Sequence, residues 1–260
     1  RRVRKPQAGR QFDAVVATDC ASFERLGKCG AHVLDRKVFI NIDHHASNTR
    51  YADINWISPR EPSTGELIYD LCGWAGWKVT KPMANCLFAA VSTDTGSFQY
   101  PTTTPETLEV ASKLVSAGAD LGNLCQEIYQ SYPITRVRLL RHVYNRFRLI
   151  HDNRTAYFWL KKADYARAGA HPEESEGLID HIRAIEGVIV AIMFEEMEPG
   201  LTRMSIRSKS VHVNVNEIAQ LFGGGGHKAA AGARISGTAL SAQRRVLAAV
   251  KRQLMAQPKS

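Results

Sequence analysis

The chain has 260 residues, 44% of them hydrophobic, and a formal net charge of +9 at neutral pH. That length accommodates two domains with true cores, and no apolar run approaches the roughly 20 residues of a membrane-spanning helix, so a helical membrane protein is not expected. The charge is uneven: Arg1, Arg2, Arg4, Lys5 and Arg10 form one acid-free block, and Arg136, Arg138, Arg141, Arg146 and Arg148 form a second, which leaves the rest near neutral.

A basic balance of this kind permits contact with nucleic acid without demanding it. Five cysteines, at 20, 29, 72, 86 and 125, are odd in number and show no CxxC spacing. That argues against a disulfide framework or a zinc ribbon. Cys72, Cys86 and Cys125 fall in apolar helical patterns and are expected to be small buried hydrophobes. No signal peptide is recognisable, and a reducing cytoplasm fits the composition.

The first part of the chain alternates strand and helix signals. Residues 12–17 form a short apolar run ending at Thr18-Asp19, the pattern of a buried parallel strand. A second run, 37–42, ends at Asp43-His44-His45. Ser63 and Glu66 have capping-box spacing and open a helix through about Cys72. Pro82 suits a first helical position, and a largely apolar helix over 83–91 runs into Ser92-Thr93-Asp94. Thr104-Pro105-Glu106 starts another helix, which Gly118 stops. Strands alternating with helices predict a mainly parallel sheet covered on both faces.

From Ile134 to Ile150 apolar residues recur at 137, 140, 143, 144, 147 and 150, the spacing of a helix. Arg138, Arg141 and Arg148 fall on the other side, as a solvated face or as the border of a cleft for polyanions. Beyond Asn153 the pattern changes to strands over 155–160, 187–195 and 202–207, helices over 176–185, 216–222 and 239–254, and a turn at Glu198-Pro199-Gly200. The expected architecture is α/β throughout: a mainly parallel-sheet first domain (11–130), a connector helix (131–150) and a smaller α/β domain (151–260).

Two constellations carry chemistry. Asp19, His44 and Asp94 lie at the ends of separate elements, where an open α/β sheet places its crevice. Carboxylates and imidazole together suit a divalent cation such as manganese, and metal-assisted hydrolysis follows from such a site. An aspartate after a strand is commonly a helix cap, but two histidines behind an aspartate at a strand tip are much rarer by chance. Here His45 is placed to bind phosphate and Asp43 to fix the His44 ring. The second constellation is Gly223-Gly224-Gly225-Gly226-His227, with Arg207 and Ser208. Glycines let backbone N–H groups approach a phosphate closely, arginine grips it with two prongs, and a flexible turn is the plainer alternative. It is not a Walker loop, having no preceding strand and no terminal Gly-Lys-Ser/Thr.

These residues resemble the DHH phosphoesterases that carry a C-terminal DHHA1 domain, in the branch of oligoribonucleases and 3′-phosphoadenosine-5′-phosphate phosphatases. Val16-Ala17-Thr18-Asp19-Cys20 with Arg25-Leu26-Gly27 looks like the second family motif. Asn41-Ile42-Asp43-His44-His45 looks like the third and Ser92–Phe98 like the fourth. Ser175-Glu176-Gly177-Leu178, Ser205-Ile206-Arg207-Ser208 and 223–227 look like the DHHA1 signature. The resemblance implies that Asp19 bridges two Mn2+ ions (Mg2+ or Co2+ as substitutes), that His44 and Asp94 complete one ion, and that His45 contacts the scissile phosphate. It further implies that Arg207, Ser208, Gly224, Gly225, Gly226 and His227 hold the rest of a short RNA or small nucleotide, in a cleft between the domains. A cytoplasmic enzyme is implied, and a homodimer is compatible with it.

The family's first motif, a histidine with an Asp-Gly-Asp-like run, has no counterpart before Phe12. The expectation is therefore a chain truncated at its N-terminus, with its two-metal site incomplete and this piece inactive by itself. The competing expectations are a polyphosphatase or pyrophosphatase of the same superfamily, and a non-catalytic nucleotide-binding module.

Overall fold

The computed structural model describes residues 11–32 and 35–256, in two units of nearly equal length, Arg1–Ser131 and Tyr132–Ser260. The basic block at 1–10 lies outside the described residues.

In the first unit, β1 (Phe12–Thr18), β2 (Arg36–Asp43) and β3 (Ile54–Ile57) form a parallel sheet in the order β1-β2-β3. Register runs Thr18 beside Ile42 and Asp43 beside Ile57, so the C-terminal ends of the strands finish together. β1 is parallel as expected but not buried: Val16 is 52% exposed. Among the described residues β1 has a neighbour on one side only, β2, which leaves the apolar run partly uncovered. The short β3 was not anticipated, having only four residues to signal it.

Helices α1 (Thr64–Trp74), α2 (Lys81–Asp94), α3 (Pro105–Ser116) and α4 (Leu121–Tyr129) complete this unit. Ser63 caps α1 by accepting the Glu66 N–H, and Thr104 and Thr107 cap α3 reciprocally. Ala84, Leu87 and Phe88 of α2 pack with Ala111 and Leu114 of α3 into one small core. Ala17, Cys20 and Phe39 form another, with Phe23 and Tyr51 edge-on to the Phe39 ring.

The second unit holds a six-stranded mixed sheet made of β4 (Arg148–Ile150), β5 (Thr155–Leu160), β6 (Val190–Glu198), β7 (Leu201–Ser208), β8 (Gly225–Gly226) and β9 (Ala230–Ser236). Their order is β4-β5-β6-β7-β9-β8, and only β5 and β6 are parallel. Strand alternation places Val190, Ile192 and Phe194 on one face and Ala191 and Met193 on the other. The first face packs under α8 (Val215–Gln220) and α9 (Ala239–Met255). The second packs under α5 (Ile134–Arg146), α6 (Lys162–Ala168) and α7 (Leu178–Arg183). Covering both faces gives this unit a continuous apolar core on each side of its sheet.

The helix expected over 134–150 ends at Arg146, and 148–150 become β4. Its buried face also differs from the pattern, since Leu139 and Val143 are fully buried while Val137 and Tyr144 are half exposed. Helix length was overestimated because the apolar residues at 147 and 150 belong to the strand that follows. Cys72 is buried, but Cys86 is exposed and Cys125 intermediate, so the uniform burial expected of them fails. No helix among the described residues is long and apolar enough to cross a membrane.

Candidate metal centre

Three chain segments deliver Asp19, His44 and Asp94 to one place. Asp19 follows β1 with a left-handed backbone (φ 56°), a conformation aspartate tolerates but that stores strain and clusters at functional positions. Its N–H is anchored to the Ile42 carbonyl at 3.0 Å, and its Oδ1 accepts the Thr64 hydroxyl at 3.0 Å. His44 directly follows β2. Asp94 is the last residue of α2, where the chain turns through three consecutive left-handed residues, Gly96, Ser97 and Phe98. A Cβ at Gly96 would lie 2.4 Å from the Tyr100 ring, so a side chain there would have to displace that ring.

His44 Nε2 lies 3.5 Å from Asp19 Oδ1 and 3.7 Å from Asp94 Oδ2, and ligand atoms of all three lie within 4.8 Å of one another. Ligands about 2.1 Å from a shared ion lie roughly 3–3.5 Å apart. Two carboxylates and one imidazole at these separations suit a divalent cation. The ring is also correctly polarised. Nδ1 sits 3.1 Å from the Glu61 carbonyl, which can only accept, so Nδ1 carries the hydrogen and Nε2 keeps its lone pair.

This corrects one expectation. Asp43 does not orient His44; it orients His45, whose Nδ1–H donates to Asp43 Oδ1 at 2.7 Å. The side chains of adjacent residues leave the backbone in different directions, and the residue two positions on is the one that faces the carboxylate. Asp43 is completely buried. Its Oδ1 also accepts the His44 and His45 N–H groups, and its Oδ2 accepts the Asn48 amide at 2.6 Å. Burial pushes this carboxyl up, but the bonds from His45 and Asn48 outweigh it and hold it below its ordinary range. Asn48 in turn donates to Asn41 Oδ1 at 2.7 Å, and Asn41 donates to the carbonyls of Ala17 and Cys20. The tips of β1 and β2 are thereby tied together through the buried Asn41 and the half-buried Asn48. Asn48, Thr64 and the Glu61 carbonyl carry no signal in the sequence, and Asn41 stands there only as the first residue of the third motif. Asn48, three residues beyond His45, carries no distinguishing mark in the sequence.

Burial pushes the Asp94 carboxyl up to about 6; His44 opposes this and Asp19 adds to it. The buried Glu66, which Asp94 also influences, is pushed up to about 7, chiefly by burial.

The glycine-rich segment, in the other unit, is a strand rather than an open loop. Gly225 and Gly226 pair with Gly232 and Ala231. A Cβ at Gly224 would lie 2.1 Å from the Gly232 carbonyl oxygen, and one at Gly226 2.4 Å from that of Ala230. Close approach of β9 therefore explains these glycines. The N–H groups of Gly223, Gly224 and His227 already donate to the carbonyls of Gln220, Ala219 and Ala230. Arg207 lies at the end of β7, with Nη1 donating to the Ile206 carbonyl at 3.1 Å. Ser208 is buried, and its hydroxyl closes a turn with the main chain of Ser210. Ser175 donates to the buried Glu195, which Arg203 pairs at 2.7 Å.

A model of the DHHA1 domain matches residues 155–256. The chain is 34% identical over 216 residues to the bifunctional oligoribonuclease and PAP phosphatase NrnA of Thermus thermophilus, covering 83% of this chain and 64% of that one. To NrnA of Bacillus subtilis it is 29% identical over 228 residues, 85% of this chain and 69% of the other. Residues 155–256 thus carry the DHHA1 match, and the chain as a whole is similar to the NrnA proteins. Its NrnA relatives are longer, and it spans just under two thirds of the Thermus protein. Among solved structures, a Bacteroides fragilis protein described as exopolyphosphatase-related superposes with a TM-score of 0.82 at 26% identity, over 94% of this chain and 72% of its own.

Proposed function

We propose that this chain is part of a metal-dependent phosphoesterase that hydrolyses short oligoribonucleotides and related nucleotides such as 3′-phosphoadenosine 5′-phosphate or linear diadenylate. Mn2+ is the proposed cation, with Mg2+ or Co2+ able to substitute. The observation that carries this reading is the convergence of Asp19, His44 and Asp94. The names of the NrnA relatives support the substrate class. In this reading residues 11–130 are catalytic and 151–260 bind substrate, and the protein works in the cytoplasm.

A bound divalent cation supplies polarisation of a phosphoryl oxygen and lowers the pKa of water. The chain's own residues do the positioning. Asp19 and Asp94 provide the negative charge that holds the cation, and His44 presents Nε2 because Glu61 fixes its tautomer. Asp43 holds His45 by Nδ1, so Nε2 is the nitrogen that meets a phosphoryl oxygen. Arg207 and His227 are proposed to grip the distal end of the substrate. The glycines and Ser208 shape the backbone beside them.

Two experiments test this. Asp94→Asn should reduce Mn2+ affinity, measured calorimetrically, by more than the roughly 10–100-fold that loss of an outer partner costs. Wild-type affinity should also fall about tenfold per pH unit below about pH 6, where a proton competes for the Asp94 carboxylate. Purified full-length protein with Mn2+ should then cleave a two-nucleotide RNA in preference to tripolyphosphate. Cleavage of tripolyphosphate alone would move the assignment to the polyphosphatase reading that the Bacteroides neighbour's description keeps open.

A further inference from the structure

The second unit contains a cavity of about 420 Å³ that the catalytic reading does not use. Its size is within the range of small-ligand sites, roughly 300–1,000 Å³. It opens where β4 stops short. β4 pairs with β5 only as far as Arg148 beside Tyr157, so Phe158 and Trp159, which line the cavity, have a strand neighbour on the β6 side alone.

The charge lining it is one-sided. Asp164 is the only acid there, and it is already engaged by Arg167 at 3.3 Å and His142 at 3.6 Å. Arg146, Arg148 and Lys161 also line the cavity, and no side-chain ion pair involves them among the described residues, Lys161 giving Asp164 only its main-chain N–H. The C-terminus of α5 accounts for a cation at Arg146 through the helix dipole. It does not account for Arg148 on β4 or Lys161 after β5.

Against these cations stands a fixed aromatic wall. Trp159 stacks on Phe194 with ring centroids 5.0 Å apart and planes inclined by 20°. Its indole N–H donates to Gln243 of α9 at 2.6 Å. One face of Trp159 is thus covered and the ring cannot turn, so the remaining face or edge is what it offers the cavity. Tyr157, the cross-strand partner of Arg148, stands two residues away on the same face of β5. Unpaired cations beside a rigid aromatic surface match a phosphate joined to a planar base.

We propose that this cavity binds a nucleoside monophosphate unit, with the base against Trp159 and the phosphate on Arg146 and Arg148. It lies apart from Arg207: β7 is two strands from β5, roughly 10 Å, and β8 is at the opposite edge of the sheet. The proposal stands whether or not the carboxylate–imidazole cluster hydrolyses anything. The unit comes either from a free nucleotide or from one residue of a longer single-stranded RNA.

The test uses the whole chain in chelator, with adenosine 5′-monophosphate titrated against tryptophan fluorescence. The other tryptophans, at 56, 74 and 77, all lie in the first unit. We expect saturable quenching that disappears in Trp159→Phe, and an affinity that falls roughly tenfold or more in Arg146→Glu/Arg148→Glu. Both arginines are exposed, so this variant should keep its fold, which circular dichroism checks. Adenosine and inorganic phosphate should each bind more weakly than the nucleotide. A five-nucleotide oligoadenylate binding more tightly than the monophosphate assigns the site to RNA, and the reverse order assigns it to free nucleotide. Unchanged affinity in the double variant, quenching that survives in Trp159→Phe, or inorganic phosphate matching the monophosphate would each overturn the proposal.

Discussion

The two units solve opposite problems with opposite materials. In the first, small apolar cores leave the organisation of the strand tips to two amides, the buried Asn41 and the half-buried Asn48, and the buried carboxylate of Asp43. In the second, helices cover both faces of a six-stranded sheet, and apolar packing fixes the geometry. Polar networks are directional and set a few side chains accurately, whereas apolar cores stabilise without specifying a ligand. Chemistry is accordingly concentrated where the apolar core is thinner.

The largest expected effect tests the packing side of that contrast. Phe194 is fully buried between Trp159 and Tyr157. Phe194→Ala should destabilise the second unit by about 3–5 kcal/mol, measured by urea denaturation. A cost below about 1 kcal/mol would mean that the sheet is not held by this core.

The glycines sharpen the same point. Gly224→Ala places a Cβ 2.1 Å from a β9 carbonyl, and that backbone cannot retreat without breaking strand pairing. It should cost about 3 kcal/mol. Gly223→Ala meets no neighbouring atom and bears only the strain of φ 71°, about 1 kcal/mol. Equal costs for the two would remove the packing account of the glycine run.

On the polar side, Asn48→Ala removes the donor to Asp43 Oδ2. Asp43 holds the main chain of His44 and the ring of His45. Loss of this outer partner should weaken Mn2+ binding about tenfold without unfolding the protein. An affinity equal to wild type would show that the amide network is structural decoration around an independently rigid site.

The sequence revealed these two regions unequally. Asp19, His44 and Asp94 were legible because each ends a recognisable element, and strand ends in a parallel sheet share one edge. The partner of Asp43 was misassigned because adjacency in sequence says nothing about where each ring turns. Asn48 was missed because an asparagine in a loop looks the same whether it faces solvent or bonds a buried carboxylate. In the second unit, strands 155–160 and 202–207 and the helix from Ala239 stood out by periodicity. β8 did not, since two glycines carry no strand propensity and their pairing depends on β9, which lacks a strong pattern of its own. Arg148 looked like part of the polar face of one long helix, with Arg138 and Arg141, but the helix ends at Arg146 and Arg148 opens β4.

Glu66 provides the smallest of these tests and the one that isolates electrostatics. It lies in the first turn of α1, nearly inaccessible, with Oε2 accepting only the Thr107 hydroxyl. Burial raises its carboxyl from 4.5 to about 7, with Glu61, Asp70 and Asp94 adding to the shift. Between those values the folded state binds more protons than the unfolded one, so stability falls as pH rises from about 4.5 to 7. The full penalty, present above pH 7, has an upper bound of about 3 kcal/mol. Glu66→Gln removes the charge but brings an amide that needs partners, leaving a net gain on the order of 1 kcal/mol at pH 8. The gain should shrink as pH falls and vanish near about pH 3.5, roughly one unit below the unfolded value, where the wild-type carboxyl is protonated in both states. Urea midpoints of metal-free wild type and variant at the two pH values measure the difference directly. A gain independent of pH would trace to packing and would remove the buried charge from the account of this unit.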